Sequence, residues 1–124
     1  MLPRRHRLTR PDDYRAVLRG GSGPQRRRRV GGELLVVHAS CTEPTRPPRV
    51  GFVVSRAVGG SVVRHRVVRR LRALAAARID QLPRGCDLVV RAQPAAAQAS
   101  FASLGVAVDR ALERLLGRTA EDAP

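Results

Sequence analysis

Residues 55–74 read SRAVGGSVVRHRVVRRLRAL, and the rest of the chain can be interpreted around them. The Gly59-Gly60 pair indicates a turn, and Ser61 is predicted to cap a helix over residues 61–77. At about 100° per residue, four apolar residues of this helix fall in one stripe: Val63, Val67, Leu71 and Leu74. The helix is therefore expected to bury one face in a core and to present a basic face to something strongly negative.

The basic face carries cations without compensating anions. No Asp or Glu lies between Glu43 and Asp80. Cations at i,i+4 spacing repel one another by roughly a few tenths of a kcal/mol per pair. A solvated face is the usual interpretation of a charged helix, but this density of cations favours a nucleic acid as partner. The candidate nucleic-acid-binding residues lie on this helix or in the turn before it: Arg56, Arg64, His65, Arg66, Arg69, Arg70 and Arg72.

The same run resembles the signature of the bacterial ribonuclease P protein family. That signature reads approximately Ser-Lys-Lys, Val-Gly-Asn-Ala-Val, Arg-Asn-Arg, then Lys-Arg and a further Arg. The matching residues here are Ser55-Arg56-Ala57, Val58-Gly59-Gly60-Ser61-Val62, Arg64-His65-Arg66, and Val68-Arg69-Arg70 with Arg72. Four positions depart from the pattern: Ala57, Gly60, His65 and Val68. A weaker resemblance extends over residues 4–117.

The resemblance implies a protein subunit that works with a catalytic RNA to remove the 5′ leader of precursor tRNA. It also implies a leader-binding cleft between the first helix and the central sheet, where the matching positions are Tyr14, Leu18 and Val37. Arg5 and Arg7 are expected to add RNA contacts. The expected partners are therefore the ribonuclease P RNA and precursor tRNA, with no membrane and no protein partner.

Composition limits the class of protein independently. The chain has 124 residues, a length typical of one domain, and a formal net charge of +14 from 24 basic and 10 acidic residues. Every one of the 24 is an arginine, whose planar fork matches phosphate. No apolar run approaches the roughly 20 residues of a membrane span. The N-terminus lacks the apolar centre of a signal peptide, so a cytoplasmic location is expected.

No catalytic residue is predicted on the protein itself. Metal-dependent phosphodiester cleavage needs clustered carboxylates, and the acids here are scattered. His65 has no evident partner for general acid–base chemistry. No histidine stands at metal-ligand spacing, so Mg²⁺ is assigned, by the resemblance, to the RNA subunit and the substrate. Cys41 and Cys86 are expected to be free thiols, because disulfides are rare in the cytoplasm.

Periodicity and turn residues predict a single domain over residues 1–124, with a basic arm at 1–8 and a frayed tail at 119–124. Thr9 is predicted to cap a first helix over residues 11–19. Residues 20–32 are predicted to form a loop that carries four consecutive arginines, either solvated or in contact with RNA phosphate. The later elements are predicted in the order strand, strand, helix, strand, helix, over residues 34–39, 49–55, 61–77, 86–92 and 100–116. The last helix has an apolar stripe interpreted as core: Phe101, Leu104, Val108, Leu112 and Leu115.

This order, helix-strands-helix-strand-helix, predicts an α/β (α+β) two-layer sandwich with helices against a central sheet. Parallel strands joined through a helix are right-handed as a general rule. The resemblance instead implies a fold like domain 2 of a ribosomal protein, with a left-handed crossover. The alternative function is a non-catalytic RNA-binding or ribosome-associated protein of the same fold. A DNA recognition helix is disfavoured, since a strand rather than a short helix precedes residue 58.

Overall fold

Four strands form one mixed sheet in the computed structural model, which describes residues 2–20 and 26–117. In spatial order the strands are β1 (Arg26–Gly31), β2 (Leu35–Cys41), β4 (Cys86–Ala92) and β3 (Arg49–Val53). β3 and β4 are parallel, and the other two pairs are antiparallel. Three α-helices accompany them: α1 (Pro11–Arg19), α2 (Ser61–Arg78) and α3 (Phe101–Leu115). The predicted α+β fold with a central sheet is confirmed.

The two faces of the sheet are covered differently, because successive side chains of a strand point to opposite sides. Leu88 and Val90 of β4 belong to the main core, together with the apolar stripes of α2 and α3. Val89, between them, packs instead with Leu8 and Val17 in a smaller cluster under α1. We call these the helix-layer face and the α1 face. The helices therefore divide between both sides of the sheet, with α1 alone on one of them.

The predicted stripe of α2 is confirmed. Val67, Leu71 and Leu74 are buried, and Val63 packs partly against the same core. The N-cap is Gly60 rather than the predicted Ser61. α2 connects the parallel neighbours β3 and β4. That this crossover is left-handed stays a prediction from the resemblance.

The prediction of a loop over residues 20–32 is wrong for its second half, which is β1. Arg27 donates a hydrogen bond to the carbonyl of Leu18 at the end of α1 (2.8 Å). Arg28, on the opposite face, donates to the carbonyls of Leu115 (2.7 Å) and Arg114 (3.0 Å) at the end of α3. Cations are favourable at helix C-termini. Successive side chains of β1 point to opposite faces of the sheet. Two arginines that were expected to lie in a loop therefore bond the strand to the ends of two helices.

The N-terminal segment is packed against β3 rather than extending freely as an arm. Leu2 and Leu8 are buried, and the Leu8 N–H donates to the carbonyl of Val50 (3.0 Å). His6 Nδ1 donates to the carbonyl of Pro48 (2.8 Å). α1 starts at Pro11 and is capped by Arg10, not by the predicted Thr9. The predicted frayed tail, residues 119–124, lies outside the described residues.

The last helix follows the sequence prediction closely. The Ser100 side chain caps it by accepting a hydrogen bond from the N–H of Ser103 (3.0 Å). Leu104, Val108 and the later members of the predicted stripe are buried. Phe101 was assigned to that stripe wrongly, because it is the first residue of α3 and is 48% exposed.

The two cysteines form a disulfide, so the prediction of free thiols is wrong. Cys41 and Cys86 lie directly opposite each other in the antiparallel β2–β4 register, with their Cα atoms 4.0 Å apart. They are 45 residues apart in sequence. Only the strand register, which the sequence does not specify between distant strands, brings them together.

Candidate RNA-binding surfaces

The exposed surface of α2 holds four of the seven predicted RNA-binding residues. Arg56 lies in the turn before the helix, and His65, Arg69 and Arg72 lie on the helix itself, all exposed to solvent. Gly59 shapes this turn, since a Cβ there would lie 2.9 Å from the side chain of Val63. A glycine and a buried stripe thus fix the orientation of a face that can neutralise phosphate.

The other three predicted residues are half-buried and partly engaged with the protein. Arg66 and Arg70 donate to the carbonyls of Ala97 (3.4 Å) and Ala99 (3.0 Å), just before α3. Arg64 donates to the hydroxyl of Ser61 (3.5 Å), and its buried Nε has no hydrogen-bond partner within the described parts of the chain. Arg66 and Arg70 therefore also hold α2 against the start of α3.

Tyr14 lies on the α1 face, anchored at its hydroxyl. It donates to the carbonyl of Leu8 (3.2 Å) and accepts from the N–H of Phe52 (3.2 Å). Gly51 makes this position possible, because a Cβ at that residue would collide with the tyrosine ring. A glycine within a strand, as at Gly51, is a sequence signal of such a close approach. Leu18, one turn along α1, packs in the same small cluster and is half-buried.

Val37 does not line this cleft, and its assignment to the leader site is wrong. It is 1% exposed and belongs to the main core on the helix-layer face. Its neighbour His38 points to the α1 face, as the alternation of side chains requires. The β2 residue that faces the cleft beside α1 is therefore His38 rather than Val37.

His38 is the polar centre of the α1 face. It lines a cavity of about 220 Å³ together with Val17, Leu18 and three arginines of β1, which are Arg27, Arg28 and Arg29. His38 is 9% exposed, and its Nε2 is buried with no hydrogen-bond partner among residues 2–20 and 26–117. Burial lowers the pKa of His38 below 6.5, and the charges of Arg29, Arg91 and Arg27 lower it further. The cavity thus combines apolar walls, guanidinium groups and a neutral imidazole, a combination that suits a nucleotide.

Two further candidates are Arg91, which sequence reasoning missed, and Arg29, which belongs to the four-arginine run whose role the sequence left open. Arg29 lies opposite His38 in the β1–β2 register, and Arg91 lies opposite Val36 on the other side of β2. Both are exposed. The available signal was the single polar residue, His38, within the apolar run LLVVHA.

An ion cluster closes one end of the α1 face. Asp87, which is buried, accepts hydrogen bonds from Arg46 (2.8 and 3.0 Å) and from Arg49 (2.9 and 2.8 Å). Arg49 also contacts Asp13 at 3.3 Å. The hydrogen bond to Asp87 raises the pKa of Arg49. Both carboxylates are thus committed to arginines.

The described residues offer no group of three or more His, Cys, Asp or Glu side chains that could hold a metal ion. Within the same residues, no helix is both long and apolar enough to cross a membrane. Arg5 and Arg7, the auxiliary basic residues, are exposed on the N-terminal segment, and Arg7 forms a parallel bridge with Val50 of β3. They lie beside β3, at the edge of the sheet remote from β1.

Solved structures share this fold. The Staphylococcus aureus RNase P protein superposes with a TM-score of 0.75 at 18% identity, over 89% of this chain and 94% of that one. The RNase P protein from Thermotoga maritima gives a TM-score of 0.73 at 21% identity, over 89% and 97%. At these identities the likeness establishes the fold.

Sequence relatives establish the family. The ribonuclease P protein component of Acidothermus cellulolyticus is 53% identical over 116 residues, which cover 93% of this chain and 92% of that protein. The protein of the same name from Streptomyces griseus is 49% identical over 125 residues, with 94% and 97% covered. The family model described as Ribonuclease P matches residues 2–116. This chain is therefore a member of the ribonuclease P protein family.

Proposed function

We propose that this chain is the protein subunit of a ribonuclease P ribonucleoprotein, which removes the 5′ leader of precursor tRNA. The observation that carries the proposal is the family match over residues 2–116, with the fold intact across the same span. The relatives named ribonuclease P protein component are matched over nearly their whole length. Sequence, fold and charge thus support one function.

The exposed α2 surface is the proposed site for the RNA subunit. Arg56, Arg69 and Arg72 are free to meet phosphate oxygens, and His65 lies among them. The three half-buried arginines contribute positive charge, and two of them, Arg66 and Arg70, also hold α2 against the start of α3. Each phosphate neutralised releases counterions, so binding should weaken steeply as salt is raised.

The α1 face is the proposed site for the leader. Single strands are held by stacking on aromatic rings together with a basic groove. Tyr14 supplies the ring, Leu18 an apolar wall, and His38, Arg29 and Arg91 the polar and basic part. Because the platform contains only one aromatic ring, arginine stacking and charge are expected to carry a larger share of the binding.

The chemistry of cleavage is assigned to the RNA subunit, together with the Mg²⁺ ions. The carboxylates of the described chain are dispersed, and several are paired with arginines: Asp12 with Arg15, Asp87 with Arg46 and Arg49, and Asp109 with Arg78. They do not fit the clustered carboxylates of a two-metal nuclease. The protein's part is to bind both RNAs and to reduce phosphate repulsion between them.

Reconstitution tests this division of labour. Rigorously RNA-free protein should not cleave precursor tRNA at any Mg²⁺ concentration. A bacterial ribonuclease P RNA should cleave it at lower Mg²⁺ when the protein is added. Cleavage by the protein alone would refute the assignment of catalysis to RNA. Binding to unrelated structured RNAs as tightly as to ribonuclease P RNA, with no effect on cleavage, would favour a general RNA-binding protein of the same fold.

A further inference from the structure

The free edge of β1 is the second concentration of arginines in this molecule. The four consecutive arginines Arg26 to Arg29 form most of the strand. β1 is an outer strand of the sheet, and no described strand lies beyond it. The opposite outer strand, β3, is different, because the N-terminal segment pairs with its edge through Arg7 and Leu8.

The four arginines fall into two pairs with different roles. Arg27 and Arg28 are tied to the carbonyl groups that end α1 and α3. Arg26 and Arg29 are exposed, and no hydrogen bond or ion pair joins the side chain of either one to another described residue. The two tied arginines fix the strand, and the two others are available to a partner.

Nothing acidic lies opposite this strand. Its register partners on β2, from His38 to Cys41, carry no carboxylate. Gly32 makes the closing hydrogen bond of the hairpin, in which its N–H donates to the carbonyl of Leu35. Since paired and unpaired positions alternate in an antiparallel ladder, the backbone N–H groups of Arg27 and Arg29 point out from the edge. The edge therefore presents guanidinium groups and amide donors together, as a phosphate-binding surface requires.

We propose that this β1 edge is a second RNA-binding surface, which contacts the phosphate backbone of the RNA subunit. The proposal rests on the proposed function, which supplies that RNA. Alternation places Arg29 on the α1 face and Arg26 on the helix-layer face, so the exposed pair straddles the edge. Such a pair fits a structured RNA that spans both sides of the edge, whereas a leader bound on the α1 face would reach Arg29 only.

The β1 edge is separate from the α2 surface. α2 follows β3, and three strand spacings of about 4.8 Å place β1 about 14 Å from β3 across the sheet. The protein would thus contact the RNA subunit at two separate surfaces, α2 and the β1 edge, with the leader site between them. Two contacts on one RNA also raise the effective concentration of each for its own site.

The test compares the double variant Arg26→Ala/Arg29→Ala with wild-type protein in binding to ribonuclease P RNA over a series of salt concentrations. The variant spares Arg27 and Arg28, so that the helix ends stay tied. Arg10→Ala/Arg84→Ala is the matched control, since it removes two exposed arginines from outside both surfaces. Arg26→Lys/Arg29→Lys keeps the charge.

We expect the alanine variant to bind the RNA subunit about tenfold more weakly than the control. Two lost phosphate contacts should reduce the slope of log affinity against log salt by about 1.4–1.8, at 0.7–0.9 each. The lysine variant should recover most of the affinity. In the reconstituted particle, the single variant Arg26→Ala, which leaves the leader site on the α1 face intact, should not change the ratio of precursor to mature tRNA affinity.

Three results would overturn the β1 surface while leaving the proposed function intact. The first is RNA affinity and salt slope equal to those of the control. The second is a loss seen only with leader-bearing substrate, which would confine the role of this strand to the leader site. The third is self-association of the alanine variant with unchanged RNA affinity, which would show that these charges only protect an edge strand from pairing. Failure of wild-type protein to bind ribonuclease P RNA would instead refute the proposed function itself.

Discussion

At the scale of single residues, strand β2 shows what the sequence can and cannot determine. The sequence predicted that Val37 faces the cleft beside α1, whereas the structure places His38 there. The run LLVVHA is apolar enough to be buried on both faces of the sheet, and Val36 and Val37 are both nearly inaccessible. When one face of a strand is exposed to solvent, polar and apolar residues alternate, so the sequence shows which side chains point inward. A doubly buried strand does not show this. Strand β2 was therefore predictable, but the direction of each side chain was not.

Gly51 shows the opposite case. A glycine inside a strand costs stability unless the space is needed, so a close approach could be predicted from sequence. Which residue would fill the space could not be predicted, since Tyr14 is far away along the chain. The pairing is specific: the ring of Tyr14 occupies the position of the missing Cβ.

The buried imidazole of His38 gives a prediction for stability against pH. Its pKa is lowered in the folded state, so between that pKa and 6.5 the unfolded chain binds a proton that the folded chain does not. Stability should therefore be complete above pH 6.5 and decrease as the pH falls below it, by at most about 1.4 kcal/mol per pH unit from this group. Denaturant unfolding of wild type and His38→Gln over this range measures the difference. Identical pH dependence in the two proteins would contradict the burial of a neutral His38.

At the scale of elements, the helices and the strands β2, β3 and β4 follow from periodicity and turn residues. β1 does not, since four consecutive arginines lack any apolar alternation that would mark a strand. The pairing that forms it is tertiary: β2 supplies the ladder, and the ends of α1 and α3 supply acceptors for Arg27 and Arg28. Neither signal is local in sequence.

The tie between β1 and α3 should be measurable. Arg28→Ala removes two hydrogen bonds to the carbonyl groups that end α3, so we expect the free energy of unfolding to fall by about 1–2 kcal/mol. Amide exchange should accelerate in the last turn of α3. Arg26→Ala is the control on the same strand and the same face, and it should change stability by less than about 0.5 kcal/mol. Equal effects of the two substitutions would show that the contact at the end of α3 contributes nothing.

At the scale of the whole molecule, three basic surfaces surround one sheet. They are the exposed surface of α2, which follows β3, the α1 face of the sheet, and the β1 edge. Composition predicted the class of partner, since a net charge of +14 on 124 residues indicates a protein that binds a polyanion. Composition could not divide that charge into surfaces. The division depends on strand order, which places β1 and β3 at opposite margins.

The Cys41–Cys86 disulfide is a further property of the whole fold, because it joins β2 to β4 across a separation of 45 residues. A loop of that length implies a stabilisation of about 4 kcal/mol in the chain-entropy model, and typical values are about 2–4 kcal/mol. A reductant should lower the free energy of unfolding of the oxidised protein by this amount. The Cys41→Ser/Cys86→Ser variant should not respond to reductant. A response equal to that of wild type would show that the reductant acts elsewhere.

The most direct measurement is the affinity of the reconstituted particle for precursor and for mature tRNA, which differ by the leader. If the α1 face binds the leader, Tyr14→Ala should weaken precursor binding by about 1 kcal/mol or more, within the range of one stacked base. Mature tRNA binding should be unchanged, and Tyr14→Phe should retain most of the affinity because stacking does not need the hydroxyl. Equal loss for both tRNAs, or a lower melting temperature with no change in either affinity, would contradict leader binding by this face.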